Sequence, residues 1–262
     1  QIASTGTFSP VCSACVYPTN RFRIDVSGDI SVLAGGTFTE GQSRVRLIGT
    51  AEQTLAMDGE NFFDLYVAGT GGVTLAEPLL VSQYLEVTVN STLDSGPGNH
   101  SITIGEDFNV NGTFVPNFGT VIFNGSAGQE ITRTVDVTPI NFYDLSIAKT
   151  ATTTFAFNAP VNIINSIAIS QPSAGYSVNF GGTVDSPNVT LLSDPTTGRT
   201  GHILRIPDGV TVSGNVRINR FMEPAPSGDK IYRYISSPIN SNPISQLQDD
   251  FPITGPFSGA ST

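Results

Sequence analysis

The chain has 262 residues, 13% of them charged, with 12 Lys and Arg against 22 Asp and Glu and a formal net charge of −10. That length can hold one large or two modest domains with a real core. The basic residues are scattered and Lys149 and Lys230 are the only lysines, which excludes nucleic acid as a partner, because phosphates are met by clustered Lys and Arg, and argues against docking on an anionic lipid surface.

In chain order, Gln1 opens into polar sequence and reads as a mature end left after a signal peptide is removed. The cysteines stand together in Cys12-Ser13-Ala14-Cys15. A second Cys pair is missing, His100 and His202 are distant, and the adjoining Val16-Tyr17-Pro18-Thr19-Asn20 is a loop sequence. A zinc site or a redox motif therefore fits less well than a local disulfide in an exported protein. Residues 1–25 are expected to cap one end of the strand-rich body of the chain.

Beyond residue 25 strand signals dominate. Alternation runs through Leu85-Glu86-Val87-Thr88-Val89, Ile102-Thr103-Ile104, Tyr176-Ser177-Val178-Asn179-Phe180 and Val210-Thr211-Val212, with breakers such as Gly69-Thr70-Gly71-Gly72 between. Helical periodicity is absent, and so is any run of ~18 apolar residues that would suggest a membrane-spanning helix. The chain is expected to be all-β.

It also repeats itself. Gly36-Thr37-Phe38, Gly49, Ala51 and Gln53 return as Gly112-Thr113-Phe114, Gly125, Ala127 and Gln129, and Phe62-Phe63-Asp64-Leu65 is answered by Phe142-Tyr143-Asp144-Leu145. The shift in spacing between these blocks marks about four extra residues near Arg133 to Thr138. Two architectures fit a repeat of this size: one small β-sandwich per copy, or several coils of a parallel β-solenoid. The passage from Ile102 to Phe123 goes from strand to strand with no linker, which favours a β-helix-like solenoid over residues 26–211.

The repeat wording carries a resemblance. Leu93-Asp94, Ser101-Ile102-Thr103-Ile104-Gly105, Asn111-Gly112-Thr113-Phe114, Gly119-Thr120-Val121-Ile122-Phe123-Asn124-Gly125 and Phe142-Tyr143-Asp144-Leu145-Ser146-Ile147 are similar to the repeats of large secreted, adhesin-like surface proteins of Bacteroidota exported by the type IX secretion system. In the tail, Val212-Ser213-Gly214-Asn215-Val216-Arg217-Ile218-Asn219-Arg220-Phe221 and Tyr232-Arg233-Tyr234-Ile235-Ser236-Ser237-Pro238-Ile239 resemble a module found after such repeats. The resemblance implies a β-sandwich-like module over 212–262 that continues in a longer polypeptide. It also implies a place on the outer face of the bacterial cell, with proteins or glycans there, or the secretion machinery itself, as partners in attachment or gliding motility.

Candidate chemistry is sparse. Asp64 and Asp144 occupy one repeat position and suit a turn or ladder role; Asp249-Asp250 would point to opposite faces of a strand; Ser236-Ser237 lacks the frame of a nucleophile elbow. Catalytic residues, a cofactor and a metal site are not expected. Asp94, Asp107, Asp249 and Asp250 are the calcium candidates, without a repeating ligand pattern. Phe63 and Tyr143 are candidate glycan contacts, each placed after a Phe expected in the core, and Arg133 opens the irregular loop where a partner is sought first. The expected function is a non-enzymatic surface spacer; the alternatives are a carbohydrate-binding module or a polysaccharide-active β-helix enzyme.

Overall fold

The computed structural model describes residues 7–8, 22–170, 175–194, 196 and 199–220. All regular structure among them is strand, and every pairing between named strands is parallel. The architecture is a continuous parallel β-solenoid of about seven coils, as the uninterrupted strand-to-strand passage predicts.

Each coil has three faces. The first is a nine-stranded sheet from Phe22–Val26 through Ser43–Leu47, Asp64–Val67, Leu85–Val87, Phe108–Val110, Gln129–Thr132, Thr154–Phe157 and Ser177–Asn179 to Thr211–Ser213. The second begins with Ile30–Ser31, Gln53–Ala56, Val73–Leu75, Thr92–Asp94 and Thr113–Val115. The third includes Asn61–Phe62, Leu79–Val81, Ile102–Ile104 and Thr120–Phe123. Register partners stand directly above one another, so a coil takes 20 residues between Leu65 and Leu85 and 26 between Ile131 and Phe157.

At Ile140–Ile147 and Val161–Ile169 one strand covers two faces. The register breaks between Phe142 and Asp144. Asp144–Ile147 continues the third-face ladder of Thr120–Phe123, while residues 140–142 pair with 161–163, which pair in turn with Val189–Leu191 and through it with Val216–Ile218. Residues 140–142 thus take the second-face place, with Phe142 5.6 Å from the Phe114 ring of the preceding second-face strand.

The alternation seen in sequence is the division between inside and outside. Ile24, Val45, Leu65, Leu85, Phe108, Ile131 and Phe157 form one inward column across the first face, and Phe62, Val81, Ile104, Phe123, Ile147 and Ile169 form another across the third. Both belong to a single continuous core. Its fully buried rings Phe62, Phe108, Phe123, Phe142, Phe155 and Phe157 stabilise the stack by roughly 2–3 kcal/mol each. Edge-on contacts such as Phe123 with Phe155, 4.8 Å apart at 64°, lock neighbouring coils together.

The two sequence copies fall on different faces. Ser43–Leu47 lies on the first face, and its counterpart Thr120–Phe123 lies three coils and two faces further on. Gln53–Ala56 is a second-face strand and its counterpart Gln129–Thr132 a first-face strand. The second copy is therefore turned by one face about the solenoid axis relative to the first.

At the N-terminal end Thr7–Phe8 pairs with Thr37–Phe38 and adds a strand below the first coil; Cys12 and Cys15 lie outside the described residues. At the other end Thr211–Ser213 and Val216–Ile218 pair with Ser177–Asn179 and Val189–Leu191. Parallel stacking thus runs to Ile218, and the boundary expected at residue 212 falls inside a strand of the stack. Residues 221–262, the rest of the expected module, lie outside the described residues.

Candidate functional site

The corners of the coil decide what reaches the surface. At two of them a glutamine folds back as a bracket: Gln53 Oε1 accepts from Gly49 N at 2.7 Å while its Nε2 donates to Val26 O and Gly28 O of the preceding coil. Gln129 does the same with Gly125 N, Ile104 O and Glu106 O. Backbone polar groups buried at a turn must find partners, and a side-chain amide supplies both kinds at once.

Arg133 makes a third bracket. Its Nη1 donates to Val110 O at 3.1 Å and Gly112 O at 3.0 Å, and its Nε pairs with Asp136, so that the side chain is only 10% exposed. That ion pair and the Thr138 amide hold the Asp136 carboxyl down at about 2. The extra residues of the loop present Val135 and Val137 to solvent. What the loop offers outward is thus these valines, while the arginine is committed to the backbone.

Tyr143 sits where the chain turns from the second face to the third. Its ring meets Phe118 edge-on, with centroids 5.0 Å apart at 87°, and its Oη accepts from Arg199 Nη1. Phe118 is 64% exposed. The turn that carries it is fixed by Asn117, which adopts φ +45° and donates from Nδ2 to Asp94 Oδ1, Ser95 Oγ and Gly96 O, and by Asn99 Oδ1, which accepts from Phe118 N at 3.1 Å. Asn tolerates this left-handed backbone better than most residues. The result is a pre-ordered aromatic surface with an arginine beside it.

Phe63 is half-buried at the turn from the third face to the first. It is the sequence counterpart of Tyr143 yet stands on another corner, several coils away, so the two rings do not form one platform. The cores behind them match: Phe62 and Phe142 are both fully buried. Asp64 and Asp144 also match, each reaching the coil above, Asp64 through Tyr84 N at 3.4 Å and Asp144 through Asn165 Nδ2 at 2.8 Å and Ser166 Oγ.

One acidic group with a lysine does assemble. Asp107, just before the strand Phe108–Val110, accepts the Glu130 amide of the next coil at 2.9 Å. Burial, with Glu130 and Glu106 adding to it, pushes its carboxyl up to about 6. Lys149 is 1% exposed and donates inward to Ala127 O and Gln129 Oε1; burial brings it down to about 8, against the pull of Asp107. Both groups spend their hydrogen bonds on the scaffold. Sequence reasoning passed over Lys149, whose counterpart in the first copy is Gly69.

Asp94, a calcium candidate, is occupied by Gly96 N and Asn117, and Asp249 and Asp250 lie outside the described residues. Among the described residues no group of three or more His, Cys, Asp or Glu is placed to hold a metal ion, and no helix is long and apolar enough to cross a membrane. No family model, curated protein or solved structure matches the chain.

Proposed function

We propose that the chain is a secreted, non-enzymatic structural or adhesin-like protein of the bacterial cell surface, a rigid β-solenoid spacer for attachment or gliding motility and a substrate or associated component of the type IX secretion system. The observation that carries the reading is the single core shared by every coil. In such a stack each coil satisfies its backbone on its neighbours, which makes a stiff element that can be lengthened without changing its chemistry. The resemblance of the repeat to secreted surface proteins supplies the setting. Immunogold labelling of intact cells of the source organism tests it: label on the outer face, lost when the export machinery is deleted, is expected, and a purely internal protein overturns the reading.

A second reading, contact with carbohydrate, is favoured by the exposed Phe118 ring held against Tyr143 beside Arg199. Aromatic faces with adjacent polar groups suit the apolar faces and hydroxyls of sugars. Replacing Phe118 and Tyr143 together with Ser should abolish adhesion of protein-coated beads to a glycan surface while leaving the unfolding midpoint nearly unchanged. Undiminished adhesion would remove this surface from the reading.

A further inference from the structure

On the far border of the third face, where its strands turn toward the next coil, lies a groove of about 450 Å³. That falls within the ~300–1,000 Å³ of small-ligand sites. Successive coils each contribute to it: Asn61, then Ser82 and Gln83, then Thr103, then Asn124, then Thr150. They come one above another because the third-face ladder holds Asn61, Leu80 and Thr103 in register, and carries Val81, Ile104, Phe123 and Ile147 beside them.

The groove exists because of two glycines in its wall, Gly105 and Gly125. A Cβ on Gly105 would stand 1.9 Å from Ser82 O, and one on Gly125 1.7 Å from Gly105 O. The backbone of each coil lies directly on the one below, so the corner is bare of side chains and sunken between flanking ones.

The chemistry of the lining is selective. No residue that lines the groove is ionisable, in a chain that carries 22 acidic and 12 basic residues elsewhere. The side chains of Thr103, Asn124, Ser126 and Thr150 make no hydrogen bond to another described residue, leaving hydroxyl and amide groups open to a ligand. The backbone amides are already spent from coil to coil: Gly105 N on Val81 O, Asn124 N on Ile104 O and Thr150 N on Gly125 O. An extended peptide would therefore find no free ladder to join. A polyanion would find no cation in the groove and a net charge of −10 around it.

We infer that this groove binds a neutral linear oligosaccharide lying along the solenoid axis, with each coil presenting its polar groups to one successive sugar. Neighbouring coils are ~4.8 Å apart, close to the advance of one pyranose unit in an extended chain, so the spacing of coil and ligand stays in step. Without an aromatic ring in the lining each sugar is held weakly, and affinity accumulates along the chain. The inference rests on the proposed surface role for its source of glycans, but its site is separate from the Phe118–Tyr143 surface.

The test is titration of the full chain, monitored by NMR or calorimetry, with neutral di- to hexasaccharides of β-1,4-glucan, β-1,4-xylan, β-1,4-mannan and α-1,4-glucan, and with hexagalacturonate as the charged control. At least one neutral series should bind, its affinity rising about tenfold or more from di- to hexasaccharide, with shift changes at Thr103, Asn124 and Thr150. Asn124→Ala combined with Thr150→Ala should weaken the hexasaccharide about tenfold, with an unchanged unfolding midpoint, while Tyr143→Ser should leave it unaffected. No binding by any neutral series overturns the inference, as does a preference for hexagalacturonate, or binding lost with Tyr143→Ser and kept in the groove variant. Those results leave the cell-surface labelling experiment untouched, and a failure of that labelling leaves the titration readable on its own.

Discussion

Gln53 and Gln129 make the same three backbone hydrogen bonds on two different faces of the solenoid. Each Oε1 takes the amide of the glycine four residues before it, and each Nε2 spans two carbonyls of the coil below. A corner of this coil is thus a portable unit. It works wherever a Gly is followed four residues on by a Gln and an older coil lies beneath.

Because both glutamines are buried and the backbone groups they bracket are at least partly shielded from water, Gln53→Ala and Gln129→Ala should each lose about 2 kcal/mol of stability, the cost of leaving several backbone polar groups unpaired. The two sites share no partner, so the double variant should lose the sum. Urea unfolding monitored by circular dichroism checks both.

Gly125→Ala sets a side chain against the Gly105 carbonyl, 1.7 Å away, whereas a Cβ on Gly28 meets nothing within 4 Å. The first should lose more than about 3 kcal/mol or fail to fold, and the second should stay within about 0.5 kcal/mol of the parent. Thermal melts of the pair compare close packing directly with mere loss of glycine.

The half-buried Asp107 and the buried Lys149 give stability a dependence on pH. Asp107, raised from 3.8 to about 6, holds its proton longer in the folded chain. Its contribution is complete below about 3.8 and is lost as pH rises through 6. Lys149, lowered from 10.5 to about 8, gives its proton up earlier when folded. Its contribution is complete above about 10.5 and is lost as pH falls through 8. Melting temperatures from pH 4 to 10 should show Asp107→Asn flattening the acid limb and Lys149→Met flattening the alkaline one.

Arg133→Ala leaves Val110 O and Gly112 O without their donor and should cost about 2 kcal/mol. Asp136→Ala removes only the exposed half of the ion pair and should barely move the midpoint. An equal loss in both variants would show that the ion pair, and not the bracket, holds this corner.

Part of this was legible in the chain. The alternation in Leu85-Glu86-Val87 and Ile102-Thr103-Ile104 marks inward and outward residues, and the absence of a linker between Ile102 and Phe123 marks a continuous stack. The core place of Phe62 and Phe142 was legible too, as was the ladder role of Asp64 and Asp144. The length of one coil was not, because the sequence similarity spans several coils at once and names no strand as partner of another. Lys149 was missed because nothing next to it in sequence says that it points inward toward Gln129.

Alternation within each strand and the linker-free passage between the copies are enough to establish the all-strand character and the continuous stack, whereas the glutamine corners close only when a preceding coil lies beneath them. Which face each copy occupies is settled in the folded chain alone. That depends on the summed lengths of all the intervening turns, a non-local quantity that turned the second copy by one face and set Tyr143 and Phe63 on different corners. The same stacking brought Phe118 and Arg199, distant in sequence, to Tyr143, and laid the polar groups of successive coils side by side along one groove.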